Sequence, residues 1–185
     1  MNYVCVKITP NMAQKQIMPQ VFNSPTYGPM DWGEAIVKMV KFMGADTKAS
    51  YEVIVGTDSE SQSGVCDFVS AVIVHKRGKG GVYFWGRQKV ENLHSMRQRI
   101  WQEAIISLSI AEKLVGDFVR IGLFDAKSDF DGSNGVNLEI HVDVGPNGET
   151  RAMIAEIVGM IRANGFKVAT KPASWGASHV ADRHV

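Results

Sequence analysis

Two short apolar segments of the chain each run into an aspartate, and this feature constrains the fold more than any other. The first segment is Tyr51-Glu-Val-Ile-Val-Gly-Thr-Asp-Ser59, and the second is Leu138-Glu-Ile-His-Val-Asp-Val-Gly145. Their apolar and β-branched content predicts buried strands that end at Asp58 and at Asp143. If the two strands are parallel neighbours, their carboxyl ends coincide, and open α/β sheets bind ligands at such ends.

The periodicities around these segments follow a definite order. Helical spacing over 31–43, with Asp31 as the N-cap, precedes the first strand at 52–58. The Gly-rich link Lys76-Arg-Gly-Lys-Gly-Gly81 predicts a hairpin turn between the next two strands. The other predicted elements are strands at 67–76, 81–89, 136–144 and 166–171 and helices at 92–116, 149–163 and 174–184, with Asn164-Gly165 closing the second of these helices.

This order, β-β-β-α-β-α-β-α after a leading helix, predicts an α/β fold. Three hairpin-connected strands followed by α/β crossovers imply a mixed five-stranded sheet with helices on both faces. We expect residues 31–185 to form this single domain. Residues 1–30 have little periodicity and hold four of the chain's six prolines, so we expect an N-terminal arm or irregular leader there.

Composition predicts a soluble cytoplasmic protein. The net charge of +1 gives no global preference for a polyanion, so any nucleic-acid binding must come from local patches. No run approaches the roughly 18 apolar residues of a membrane span, and no signal peptide is visible, so we expect no membrane partner. The two cysteines, Cys5 and Cys66, lack metal-type spacing and are expected to be free thiols.

The element order is that of ribonuclease H-like proteins, and five stretches resemble the YkuK family of that superfamily more closely. The resemblance covers residues 24–184 and rests on Val55-Gly-Thr-Asp-Ser59, His75-Lys-Arg-Gly-Lys-Gly-Gly81, Arg97-Gln-Arg-Ile-Trp-Gln-Glu103, Glu139-Ile-His-Val-Asp-Val-Gly-Pro-Asn-Gly148 and Ser178-His-Val-Ala-Asp-Arg183. It implies a ribonuclease H-like fold with a carboxylate set at Asp58, Glu103, Asp143 and Asp182. Glu60, where a Gln is common, and an insertion at 128–135 depart from the family pattern.

Three of the four carboxylates also have an ordinary structural interpretation. An aspartate at a strand end is commonly a turn former or a helix cap, which applies to Asp58. It also applies to Asp143, which stands just before Gly145-Pro-Asn-Gly148. Asp182 lies close to the end of the sequence and is the weakest of the four as a metal ligand.

Glu103 is harder to explain as an ordinary surface residue. It shares a helical face with four apolar residues, Met96, Ile100, Ile110 and Leu114. Burying a lone carboxylate is unfavourable, so Glu103 requires either a metal ion or a cationic partner such as Arg99.

Taken together, the four carboxylates predict a metal site. Hard oxygen ligands suit one or two Mg²⁺ or Mn²⁺ ions and not zinc. Two such ions ~3.5–4 Å apart activate a water and stabilise the leaving oxygen of a phosphodiester. We therefore expect a metal-dependent nuclease acting on RNA, DNA or a hybrid of the two.

Histidines and basic residues complete the set of candidates. His141 shares a strand face with Asp143, and His179 precedes Asp182 by three, so either is a candidate for supporting the metal site or transferring a proton. A histidine satisfied within its strand is the alternative for His141. The candidates for nucleic-acid contact are Lys76, Arg77, Lys79 and Arg87, with Tyr83 and Trp85 as base-stacking partners on the strand of Arg87. The alternative is a solvated basic hairpin over aromatic residues that pack internally.

Two other functions stay open at this point. One is a non-catalytic nucleic-acid binder or scaffold that keeps the fold. The other is an actin-like ATPase, because Gly56-Thr-Asp-Ser59 resembles the phosphate loop that follows the first strand of such enzymes. Against the ATPase, the stretch Gly132-Ser-Asn-Gly135 lacks the Lys and Ser/Thr of a P-loop.

Overall fold

The structure is a computed structural model that describes residues 18–62, 65–123, 135–145, 151–174, 180–181 and 183–184. Within these residues seven strands and three helices are defined. They are β1 (Phe22–Ser24), β2 (Gly28–Met30), α1 (Trp32–Gly44), β3 (Tyr51–Gln62), β4 (Val65–Lys76), β5 (Gly81–Glu91), α2 (Met96–Arg120), β6 (Val136–His141), α3 (Arg151–Ala163) and β7 (Lys167–Ala169).

The strands form one mixed sheet in the order β2-β1-β5-β4-β3-β6-β7. β3 pairs in parallel with β6, and β6 in parallel with β7, whereas the other neighbours are antiparallel. The predicted α/β class is therefore confirmed, and the two aspartate-bearing segments are parallel neighbours.

The predicted number of five strands is wrong, because β1 and β2 add a hairpin to the edge of the sheet. Both come from the stretch that we expected to be an irregular leader. Each has three residues, which is too short for an alternation to be read from sequence. Phe22 and Met30 anchor the hairpin by burying their side chains in the core.

Local capping explains where the helices begin and end. Asp31 and Glu34 cap α1 reciprocally, each side chain accepting a hydrogen bond from the other's backbone N–H, as the predicted N-cap implies. The predicted start of the long helix at 92 is wrong, because Ser95 and Gln98 form the same kind of capping box and α2 begins at Met96. α3 ends as predicted at Asn164-Gly165, where Gly165 has φ +79°. None of the described helices has the length and hydropathy required to cross a membrane.

The two faces of the sheet have different coverings. The side chains of Val53, Val55 and Thr57 alternate onto the face against which α2 packs, and α2 in turn contacts α1 and α3. The opposite face carries Asp58 on β3 and Trp85 on β5. His184, near the end of the predicted last helix, stacks on Trp85 there. Of that helix, only Val180 and Ala181 lie within the described residues as helix.

A substitution at Gly86 of β5 tests how the edge hairpin packs against the sheet. A Cβ at Gly86 would lie 2.8 Å from the carbonyl oxygen of Val21 and 2.5 Å from Cβ of Pro19. We expect Gly86→Ala to lower the free energy of unfolding by about 1–3 kcal/mol, because the backbone beside β1 must shift. Gly116→Ala is the matched control: a Cβ there meets nothing within 4 Å, and an alanine inside α2 should raise stability by about 0.5–1 kcal/mol. Urea unfolding of both variants measures the difference, and a stable Gly86→Ala protein would contradict this packing.

Candidate functional site

The pairing of β3 with β6 brings the two aspartates together. The parallel register runs from Tyr51 opposite Val136 to Gly56 opposite His141. Asp58 and Asp143 each follow the last paired residues by two positions, so they lie at the same end of the two strands. The condition stated in the sequence analysis, that the two strands are parallel neighbours, is therefore met.

The prediction that each strand ends at its aspartate is wrong. β3 continues four residues past Asp58 because β4 still pairs with it, from Asp58 opposite Val69 to Gln62 opposite Val65. β6 ends earlier, at His141. Asp58 therefore lies beyond the part of β3 that β6 covers, with one carboxylate oxygen accepting a hydrogen bond of 2.9 Å from the N–H of Ser59.

A line of polar contacts fixes α2 on β3. Ser107 Oγ donates to Thr57 Oγ1 at 3.0 Å, and Ser59 Oγ donates to Glu103 Oε1 at 2.6 Å. Four residues of a helix rise about 6 Å, and two residues of a strand rise about 6.6 Å, so the two contacts are in step. This line, which we call the α2–β3 polar seam, brings Glu103 to the part of β3 that holds Asp58.

Glu103 is buried, with 8% of its surface exposed. The pKa of its carboxyl is raised to about 8, first by burial and then by the negative charges of Asp58 and Asp143. The hydrogen bond from Ser59 and the positive charge of Arg99 oppose that increase in pKa. Because the charges of Asp58 and Asp143 both raise the pKa of Glu103, these three predicted carboxylates lie in one region of the molecule.

Asp143 has a cationic partner that the sequence analysis missed. Lys171 Nζ lies 2.7 Å from Asp143 Oδ1, and the Lys171 side chain is 57% exposed. The backbone N–H of Lys171 donates to the carbonyl of Val144 at 2.9 Å, which holds the two chain segments together. No periodicity marks Lys171, because its role depends on β6 and β7 being neighbours.

The donor chemistry of this region suits a hard divalent cation, but its geometry is not that of a formed metal site. Asp58, Glu103 and Asp143 offer carboxylate oxygens, as Mg²⁺ and Mn²⁺ prefer. Within the described ranges, however, no three His, Cys, Asp or Glu side chains are close enough to hold a metal ion. Glu103 accepts a hydrogen bond from Ser59, and Asp143 forms an ion pair with Lys171. A metal ion would therefore have to replace both of these partners. The fourth predicted carboxylate, Asp182, and His179 lie outside the described residues.

His141 is buried beside the aspartates. It is 4% exposed, and its Nε2 lies 3.3 Å from Glu139 Oε2. Its Nδ1 has no hydrogen-bond partner among the residues that the structure describes. By alternation along the strand, Glu139, His141 and Asp143 point to the same face of the sheet as Asp58.

The basic hairpin lies far from the carboxylates. Lys76 pairs with Tyr51 at the start of β3, seven residues before Asp58, which corresponds to about 23 Å along the strand. Its cations also have acidic partners: Lys76 lies 2.5 Å and Lys79 3.6 Å from Asp46, and Arg77 lies 2.9 Å from Glu52. The structure therefore does not bring Lys76, Arg77 and Lys79 to the carboxylate region.

Arg87 is the predicted basic residue that lies closest to the carboxylates along the sheet. It pairs with Val69, which in turn pairs with Asp58, so Arg87 is two strands away on the same face, at about 10 Å. Its guanidinium lies 3.2 Å from Asp67 and donates to the carbonyl oxygen of His184. The sequence analysis did not identify His184, whose contact with β5 spans about a hundred residues of chain.

The raised pKa of Glu103 predicts how the free energy of unfolding depends on pH in the absence of metal. Its folded pKa of about 8 exceeds its ordinary value of 4.5, so between these pH values the folded protein binds more protons than the unfolded chain. Stability should therefore fall as pH rises from about 4.5 to 8, with Glu103 contributing up to about 1.4 kcal/mol per pH unit.

Glu103→Gln should remove this contribution, and thermal unfolding in a chelating buffer across that pH range measures it. Glu156→Gln is the matched control, because Glu156 is an exposed glutamate of α3 paired with Arg97. Identical pH profiles for wild type and Glu103→Gln would contradict the burial of Glu103.

Comparison with known proteins agrees with this architecture. The family model described as Ribonuclease H-like matches residues 34–185. The chain is also similar to "Uncharacterized protein YkuK" of Bacillus subtilis (strain 168), with 29% identity over 159 residues that cover 83% of this chain and 90% of that protein. No solved structure matches the chain. Because the family model covers most of its length, the chain belongs to the ribonuclease H-like family, and its resemblance to YkuK is confirmed.

Proposed function

We propose that the chain is a metal-dependent nuclease that hydrolyses phosphodiester bonds at Asp58, Glu103, Asp143 and Asp182. The observation that carries the proposal is the buried Glu103 carboxyl, whose pKa is raised by burial and by the charges of Asp58 and Asp143. Carboxylates gathered at such a place disfavour one another unless a cation joins them, and strongly perturbed pKa values are typical of functional sites.

The chemistry assigns different tasks to the side chains. A divalent ion bound by these carboxylates would activate a water and stabilise the leaving oxygen. Glu103 would release the Ser59 hydroxyl and bind the ion instead. Asp143 would likewise release Lys171 and bind the ion. Lys171, which is more than half exposed, is then placed to contact a phosphate oxygen. His141 and His179 are the candidates for proton transfer, and Asp182 joins the set through the resemblance to the family.

A non-catalytic nucleic-acid binder is the second candidate. The contact of Lys171 with Asp143 favours it, because this lysine already supplies a positive charge where a metal would otherwise be needed. In that case the protein would hold nucleic acid through Arg87 and the Lys76–Gly81 hairpin without cutting it. Nothing in the described part of the chain favours the actin-like ATPase.

A cleavage assay tests the nuclease. Labelled RNA–DNA hybrid, single-stranded, duplex and branched substrates would be incubated with Mg²⁺ or Mn²⁺. We expect Asp58→Asn and Asp143→Asn to lower the cleavage rate by about 100-fold or more, the scale of losing an electrostatic contribution to the transition state. Asp46→Asn is the matched control, because Asp46 pairs with Lys76 at the other end of the sheet and its loss should leave the rate unchanged.

The outcomes separate the two candidates. Unchanged hydrolysis and unchanged Mn²⁺ binding in Asp58→Asn would sink the nuclease proposal. Tight binding of nucleic acid that neither metal nor Asp58→Asn alters, with no cleavage of any substrate, would favour the non-catalytic binder.

A further inference from the structure

An open pocket of about 490 Å³ lies along β5 beside the edge hairpin. Gln20, Asn23, Trp85 and Arg87 are among the residues that line it. Asn23 is paired with Trp85 across β1 and β5, so the amide lies next to the indole on the same face of the sheet. The pocket therefore combines an aromatic ring, a guanidinium and two amides, groups that together bind a nucleobase and its phosphate.

The Trp85 ring already holds a flat heteroaromatic partner. The imidazole of His184 stacks on it with a centroid distance of 4.1 Å and an interplanar angle of 7°. Tyr83 Oη lies 3.5 Å from Nε2 of the same imidazole, and Arg87 donates to the carbonyl oxygen of His184. A stacked ring, a hydroxyl at its nitrogen and a guanidinium on a nearby oxygen are the contacts that a nucleotide would make at this place.

The stacking site lies on the same face of the sheet as Asp58. Arg87 and Asp58 occupy one row across β5, β4 and β3, about 10 Å apart. Trp85 lies two residues from Arg87 along β5 and shares its face. A polynucleotide whose phosphate is at Asp58 would therefore pass over Trp85 within a few nucleotides.

We propose that Tyr83, Trp85 and Arg87 form a subsite for one unpaired nucleotide of a single-stranded segment, next to the pocket lined by Gln20 and Asn23. His184 takes the place of the base on Trp85 until nucleic acid displaces it. The choice of nucleic acid as the occupant rests on the proposed function. A base inside a duplex already has both faces stacked, so an indole that offers one face for stacking favours an unpaired base. Arg87 supplies the charge that a phosphate requires.

The test is a binding measurement on the full chain in EDTA, which separates it from hydrolysis. Fluorescence anisotropy would compare a labelled single-stranded oligonucleotide with the same sequence as a blunt duplex. Trp85→Ala should weaken single-strand binding about 5- to 150-fold, the range expected for one stacked base. Trp85→Phe retains a ring for stacking and should keep most of the affinity, which distinguishes lost stacking from misfolding.

A substitution of His184 is the second part of this binding test. His184→Ala removes the competing ring and should strengthen single-strand binding severalfold. His75→Ala is the matched control, because His75 is another half-buried histidine, but it pairs with Glu52 at the far end of the sheet. That variant should bind as wild type does.

Three results would overturn the subsite: Trp85→Ala binding as tightly as wild type, His184→Ala binding more weakly, or duplex binding with the same dependence on Trp85. Metal-dependent cleavage by wild type together with Trp85-independent binding would overturn the subsite and leave the nuclease standing. Single-strand binding that depends on Trp85, in a protein that cuts nothing, would support the subsite and contradict the nuclease.

Discussion

The structure of the candidate site depends on the α2–β3 polar seam. A long amphipathic helix can slide along a sheet with little change in apolar burial, since its apolar face repeats with every turn. The buried hydroxyl of Ser107 removes that freedom, because a shift of one turn would take it away from Thr57 and leave it unsatisfied. The Thr57 hydroxyl is itself held by Ser70 within the sheet. With the helix fixed in this register, Glu103 faces Ser59 and brings its carboxyl group to the region of Asp58. The contact between helix and sheet thus fixes the position of Glu103 relative to the strand that carries Asp58.

Nearby hydrogen-bond donors and positive charges partly offset the repulsion among the carboxylates of that region. Ser59 donates to Glu103, Arg99 places a positive charge nearby, and Lys171 contacts Asp143. These groups reduce the repulsion among the carboxylates without removing it, because the pKa of Glu103 stays raised. Under the proposed function, an added cation would replace these partners.

The two faces of the sheet carry different kinds of residue. The face under α1, α2 and α3 holds most of the apolar core, together with Glu103. The other face combines Asp58, the Trp85 ring and the Arg87 guanidinium with His184. Strand alternation makes this division possible, because neighbouring residues such as Thr57 and Asp58 point in opposite directions, one into the core and one toward the candidate site.

The sequence by itself determined the class of fold, the helix caps at Asp31 and Gly165 and the burial of Glu103. These are local signals: periodicity, capping residues and a carboxylate on an apolar helical face. Only the tertiary structure decided the edge hairpin, the continuation of β3 past Asp58 and the contact of Lys171 with Asp143. It also decided the distance between the basic hairpin and the carboxylates, and the stacking of His184 on Trp85. Each of these depends on which strands become neighbours or on contacts between residues far apart in the chain. Such contacts leave no pattern in a single sequence, because a lysine or histidine on the surface has the same local signal whether or not a distant partner reaches it.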